Sequence, residues 1–267
     1  MAGRSALMLI VAVSVAALTP ASSYAQVPAA PACPDGGSGT SPRLPFGVGE
    51  RASYRVSYNV VGRVGTGTMS ILGVDSIRGR PAFHALFTLR GRFLFASVNN
   101  RFDSWLDVGE VFSHRFEQNT HEINFRRRRT REFFPAELRW TGHTNDRPES
   151  GTLPTAEPLD DTAFLYYLRT MDLEVGREYH LDRYWNPDGN PVRVRVLRRE
   201  TVRVPAGTFE TLVLQPIIRT SGMFSEGGEA EVYFAANGSR QLVMLRARVS
   251  FGTLQLQLEE FEPAFTC

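Results

Sequence analysis

The clearest regularity in this chain is a period of two. In "RASYRVSYNV", Ala52, Tyr54, Val56, Tyr58 and Val60 alternate with Ser53, Arg55, Ser57 and Asn59. One face is therefore apolar and the other polar, the pattern of a half-buried strand. It returns in "PVRVRVLRRETVRV", where Val192, Val194 and Val196 alternate with Arg193 and Arg195. In "VMLRARVSF" the residues Val243, Leu245, Ala247, Val249 and Phe251 fall on one side, and in "GTLQLQLEEF" Leu254, Leu256 and Leu258 alternate with Gln255, Gln257 and Glu259. Turn formers separate such runs: Pro187-Asp188-Gly189-Asn190, Ala206-Gly207 and Asn237-Gly238. Asn-Gly between strand patterns is a strong hairpin signal. One-sided alternation argues for antiparallel pairing, because parallel sheets are covered on both faces.

A single segment carries a helical period. In "LDDTAFLYYLRTMDLEVG", Asp160 or Asp161 stands where a cap is needed, and Phe164, Tyr167, Leu168 and Met171 follow at i, i+3, i+4 and i+7. Gly176 marks the return to strand. A short helix with so many large apolar groups must be buried, and the only surface on offer is a sheet. The predicted fold is mainly β: a strongly curved antiparallel sheet, an open barrel or spiral, with one short amphipathic helix packed on its concave face. Outer-membrane barrels also alternate. The long Pro/Gly leader, the internal helix, and strands bearing Arg and Glu on one side disfavour that reading.

The N-terminus changes the picture of where the chain works. "MAGRSALMLIVAVSVAALTPASSYAQ" has one early charge at Arg4, an apolar run from Ala6 to Leu18, and small residues at Ser23 and Ala25 before Gln26. These are the parts of a Sec-type signal, and the run is too short to span a bilayer. The expected organisation is a signal peptide over 1–25, a flexible Pro/Gly-rich leader over 26–45 and a single β domain over 46–267. The expected location is the periplasm, free or associated with the outer membrane, with no transmembrane segment after cleavage. Cys33 and Cys267 are the only two cysteines. In an oxidising compartment they predict one disulfide, which by loop entropy would contribute up to about 4–5 kcal/mol. Lipidation of Cys33 is disfavoured by Pro31 at −2 and the absence of a Leu-type residue at −3.

Formal charge is +2, so no global field steers the chain toward polyanions, and every one of its 30 basic side chains is Arg. Locally the picture differs. "INFRRRRTREFF", read as a strand, puts Phe125, Arg127, Arg129, Arg131 and Phe133 on one face and Arg126, Arg128, Thr130, Glu132 and Phe134 on the other. Asn119 to Glu122 is read as the turn before it. Three readings of the run stand: an edge strand protected by charge; cross-strand pairing with Glu117, Glu122 or Glu132; or one face directed at a cavity or at an anionic lipid, lipopolysaccharide or glycan. Nucleic acid is not expected, because export and the near-zero net charge oppose it.

Catalytic signals are thin. The five histidines, His84, His114, His121, His143 and His180, lack metal-ligand spacing. "GTGTMS" and "GGSGTS" precede no helix, so phosphate-loop and nucleophile-elbow contexts fail. Asp160-Asp161 reads as a cap with a first-turn charge rather than a glycosidase pair. No catalytic residue, metal ligand or cofactor is predicted.

Four segments resemble the bacterial exported family known as domain of unknown function 3108. They are "PFGVGERASYRVSYNVVGRVGTGTMSI" with Gly49, Glu50 and Tyr54; "DDTAFLYYLRTMDLEVGREYHL" with Tyr166, Tyr167, Leu168, Arg169, Leu173 and Gly176; "RRETVRVPAGTFETLVLQP" with Val202, Pro205, Ala206, Gly207, Thr208 and Phe209; and "AEVYFAANGSRQLVMLRARVSFGTLQLQLEEF". In the last block Tyr233 and Ala236-Asn237-Gly238 replace the family's usual Trp and acidic turn. The resemblance implies a periplasmic, mostly β protein and no activity.

The functional expectation is a non-enzymatic envelope protein that binds or carries a lipid, acyl chain or other apolar ligand, or scaffolds envelope assembly with an outer-membrane partner. Phe164, Tyr166 and Tyr167 would floor the ligand cavity with Arg169 at its rim, and Arg127 and Arg129 would meet an anionic part. The alternative is an envelope hydrolase or carbohydrate-active enzyme, for which Asp160, Asp161 and His143 are the residues to test.

Overall fold

The computed structural model describes residues 44–59, 61–93, 96–122, 125–218, 230–249 and 252–265. The expected signal segment, and the expected Cys33–Cys267 disulfide, fall outside the described residues. In chain order the elements are β1 (Arg51–Tyr58), β2 (Gly62–Ile77), β3 (Arg80–Phe93), β4 (Ala96–Asp107), β5 (Ser113–Glu122), β6 (Phe125–Phe134), β7 (Arg139–Thr144), β8 (Arg147–Thr152), α1 (Asp161–Thr170), β9 (Glu178–Leu181), β10 (Val192–Val204), β11 (Gly207–Ile217), β12 (Ala230–Ala235), β13 (Leu242–Val249) and β14 (Gly252–Glu262).

All these strands belong to one 14-stranded sheet in the order β8-β7-β6-β5-β4-β3-β2-β1-β14-β13-β12-β11-β10-β9, and each neighbouring pair is antiparallel. Consecutive strands pair throughout except β8 and β9, and one further pairing joins strands distant in sequence. β1 lies against β14, so the first and last described strands meet in the middle of the sheet. The edges β8 and β9 are not paired with one another, and the segment bearing α1 connects them. The barrel is open along that line.

Register shifts in the β1–β14, β1–β2, β2–β3, β4–β5, β10–β11 and β12–β13 ladders bend the sheet, as extra residues in a ladder do. The alternation read from sequence then sets which side fills the interior. Tyr54, Ile71, Ala85, Leu106, Phe116, Phe133, Val194, Leu214, Val232, Leu245 and Leu256, drawn from strands across the sheet, join Phe164, Tyr166 and Leu168 of α1 in one core. A flat sheet could not bring strands so far apart in the order into contact; a sheet wrapped around the helix does.

Of the two candidate caps, Asp160 serves α1, accepting from the backbone N–H groups of Thr162 and Ala163 at 2.9 Å each. The helix is buried more widely than its stripe predicts. Tyr166 is fully buried, whereas Tyr167, on the predicted apolar face, is only half-buried. A helix enclosed by a curved sheet has no solvent side of the usual width, so the 3.6-residue pattern underestimates what it covers.

Two expectations for the arginine strand are corrected. Asn119 to Glu122 is not a turn: it lies within β5, and the chain reverses between Glu122 and Phe125. Nor is β6 an edge strand, since β7 and β8 lie outside it. The added hairpin turns on Asn145 and Asp146, both at positive φ (48° and 65°), the conformation that tight hairpin turns demand. β8 reads "RPESGT", without apolar alternation. Its Pro148 has no N–H to offer a further strand, and Arg147 is charged, so this edge resists pairing.

Candidate anion-binding face

Pairing register carries the concave face outward from the core in rows. Leu89 stands opposite Asn100, Asn100 opposite Thr120, and Thr120 opposite Arg127. In the next row are Phe87, Phe102, Gln118, Arg129 and Thr144. Then come Ala85, Ser104, Phe116, Arg131, Gly142 and Glu149. Paired residues point to the same side, and Ala85 and Phe116 are core residues. The odd-numbered arginines of the run therefore face the concavity. Arg126 and Arg128 face out, the latter pairing with Asp146.

Arg131 is 2% exposed. Its guanidinium lies 4.4 Å from the Trp140 ring centroid and 5.3 Å from that of Trp185, and those two rings meet edge to face at 5.4 Å. It donates to the carbonyls of Thr130 (2.8 Å) and His143 (3.0 Å), to Thr144 Oγ1 (3.1 Å) and to the Glu149 carboxylate. Glu149 is two strands away, and the residue between them is Gly142, which puts no side chain in the way. A Cβ on Gly142 would run into the Thr130 carbonyl. Arg131 is thus a buried cation whose two terminal nitrogens are engaged, with only its Nε unpartnered, and it fastens the outer hairpin to β6.

Arg127 and Arg129 are placed differently. Both are half-buried. Arg127 lies 4.7 Å over Phe125 and Arg129 5.8 Å over Trp185. Among the described residues neither is bound to a carboxylate, and the buried Nε of Arg129 has no hydrogen-bond partner. Burial and the neighbouring Arg129 charge push the Arg127 guanidinium below its ordinary value, with Glu149 opposing; burial and Arg129 act the same way on Arg131. Arg127 and Arg131 nonetheless stay charged near neutrality. The half-buried Phe87, Leu89 and Phe102 share these rows, with Phe87 and Phe102 stacked at 5.9 Å.

The other predicted site residues serve packing. Phe164 and Tyr166 are 2% and 0% exposed, and Tyr166 meets Phe46 edge to face at 4.9 Å. Arg169 is bound to both oxygens of Glu50, and it also donates to the carbonyls of Pro45 and Ser239. Tyr167 lies under the Arg183 guanidinium at 4.3 Å. At the other end of α1, Ser104 donates to Asp160 at 2.5 Å, the Asp160 N–H donates to Ser113 Oγ at 2.9 Å, and the Tyr184 hydroxyl donates to Asp161 at 2.7 Å. Burial pushes the Asp160 carboxyl up to about 6 against these bonds. No hydrogen bond, ion pair or ring contact among the described residues joins Phe164, Tyr166, Tyr167 or Arg169 to Arg127 or Arg129.

Sequence reasoning did not nominate Glu149, Trp140, Trp185 or Gly142 for this face. The signal for Glu149 was present in the turn: Asn145-Asp146 as a two-residue loop sets Gly142 against Glu149.

An open, barrel-like antiparallel sheet around one buried helix is the class of protein that this fold defines. The chain belongs to the family described as Protein of unknown function (DUF3108), which matches it over residues 53–259. Its fold is similar to that of a β-barrel-like protein of domain of unknown function 1849 from Brucella abortus, at 8% identity and a TM-score of 0.53, covering 82% of this chain and 99% of that one. A candidate lipoprotein from Parabacteroides distasonis aligns at 10% identity and a TM-score of 0.35, covering 82% and 98%. A candidate exported protein with a YmcC-like fold from Bacteroides fragilis aligns at 10% and 0.29, with the same coverages. No curated protein matches the sequence. No helix among the described residues is long and apolar enough to cross a membrane.

Proposed function

We propose that this chain is a non-catalytic periplasmic protein that binds an amphiphile, a lipid or acyl chain with an anionic end, on the concave face of its sheet. The observation that carries the reading is the pairing of two unlike surfaces in the same rows. Arg127 and Arg129 have no carboxylate partner among the described residues, and half-buried Phe87, Leu89 and Phe102 lie across from them. An apolar wall facing fixed cations suits a ligand with a greasy body and a negative end. The periplasmic location rests on the signal-like segment 1–25.

The hydrolase alternative has less support. Asp160 spends both oxygens on the helix cap and Ser104, Asp161 is held by Tyr184, and His143 stands on β7 opposite Thr130, on the convex side. Glu132, near His143 on that side, is bound to Arg78 and Arg115. The scaffold alternative asks for an open edge; one edge, β8, carries Pro148, and the other, β9, is only four residues long.

The test is native mass spectrometry of the chain expressed with its own N-terminus and purified from the envelope without detergent exchange. A co-purifying amphiphile released on unfolding is expected. A spectrum of ligand-free protein, together with no uptake of added lipid, overturns the proposal.

A further inference from the structure

We infer that the anionic end recognised by this face is a phosphate monoester, held between Arg127 and Arg129, so that the ligand is a lipid with a terminal phosphate; this rests on the amphiphile-binding reading above. Alternate residues of a strand stand roughly 6.6–7 Å apart. Two guanidinium forks at that spacing on one face can converge on a single small anion.

The charges nearby decide which anion. Arg131 is neutralised by Glu149 and enclosed by Trp140 and Trp185. Of the carboxylates on this side, Glu149 is taken by Arg131, Asp161 accepts from Tyr184, and Glu122 accepts from Asn100. The cross-strand neighbours of Arg127 and Arg129 are the neutral Thr120, Gln118 and Thr144. Glu149 and Asp161 act on this pair only through space, so two guanidinium groups remain side by side in a half-buried site with no carboxylate bound directly to either among the described residues. A carboxylate or a phosphodiester brings one negative charge and would leave one cation uncompensated. A phosphate monoester brings about −1.5 to −2 near neutral pH and three acceptor oxygens. It can accept from the terminal N–H groups of both forks. The acyl part would then lie over Phe87, Leu89 and Phe102.

The experiment is calorimetric titration of the delipidated full chain with four short-chain probes: dioctanoyl phosphatidic acid, dioctanoyl phosphatidylglycerol, dioctanoylglycerol and inorganic phosphate. Phosphatidic acid should bind at least about tenfold more tightly than the other three. Arg127→Gln and Arg129→Gln should each weaken it by about tenfold or more, the loss expected for a charge-assisted hydrogen-bonded pair. Arg126→Gln and Arg128→Gln, on the opposite face, should leave it unchanged, and circular dichroism establishes that all four variants are folded. Equal binding of phosphatidylglycerol overturns the dianion assignment while the amphiphile reading stands. Inorganic phosphate binding as tightly as phosphatidic acid overturns the lipid. Tight binding of phosphatidic acid indifferent to Arg127→Gln and Arg129→Gln overturns the site. Binding of no probe overturns this inference together with the reading beneath it, and binding of dioctanoylglycerol alone overturns the headgroup only.

Discussion

Arg169 and Glu50, 119 residues apart in sequence, form a two-pronged ion pair of 2.6 and 2.7 Å, with side chains only 2% and 5% exposed. The pair ties the last turn of α1 to the approach to β1, and Arg169 extends the tie to the turn between β12 and β13 through the Ser239 carbonyl. One guanidinium thus holds together three segments that the chain visits at widely separated times.

Removing either partner strands a charge in the core. Glu50→Gln and Arg169→Met should each lower unfolding free energy by about 3–5 kcal/mol. The double variant should lose less than the sum of the two, because no orphaned charge remains. Urea denaturation of all four proteins as a double-mutant cycle measures this, and additivity would show that the two side chains act separately.

Asp160 should make stability depend on pH in the direction opposite to an ordinary surface carboxylate. Its pKa rises from 3.8 to about 6 on folding, so the folded state holds the proton more tightly. Its contribution is therefore largest below the unfolded value, falls as pH rises from about 4 to about 6, and is flat above. From pH 4.5 to 7 the loss should be about 2 kcal/mol. Asp160→Asn keeps an acceptor for the helix cap and should abolish that part of the slope. Denaturation of both proteins at the two pH values provides the comparison.

Gly142 admits no side chain. Its missing Cβ would meet the Thr130 carbonyl, a backbone atom that cannot rotate aside. Gly142→Ala should cost about 1–3 kcal/mol, the usual range for overpacking, and lower the melting temperature.

Glu149→Ala should loosen the outer hairpin without unfolding the rest. Arg131 would lose its carboxylate while only 3% of its side chain is exposed, but Glu149 itself is 41% exposed, so water replaces part of the interaction. A loss of about 1–2 kcal/mol is expected. Hydrogen exchange should speed up in β7 and β8 and stay unchanged in β1 and β14. Uniform acceleration would mean that Arg131 supports the whole sheet.

Much of this architecture can be read from alternation alone. Period two yields the hairpins around Ala206-Gly207 and Asn237-Gly238, and it separates Arg127, Arg129 and Arg131 from Arg126 and Arg128. The helix and its Asp160 cap follow from local chemistry. Three things do not follow. The exchange of roles between Tyr166 and Tyr167 depends on what surrounds the helix, not on its own period. β8 lacks apolar alternation because its concave side is occupied by Glu149 and Gly151 facing Arg131 and Trp140. The Glu50–Arg169 pair is a contact across the whole fold, although both residues stand in segments that carry the family resemblance.

The placement of β14 beside β1 has a consequence for how the molecule comes into being. A nascent polypeptide that has emerged only as far as Val249 holds two partial meanders, and each presents a naked ladder of amide and carbonyl groups at what will become the midline. The final stretch, Gly252–Glu262, is the zipper that joins them. Loss of those eleven residues would therefore do more than shorten an end: it would leave a sticky gap at the centre, open to the same gap on another unfinished copy.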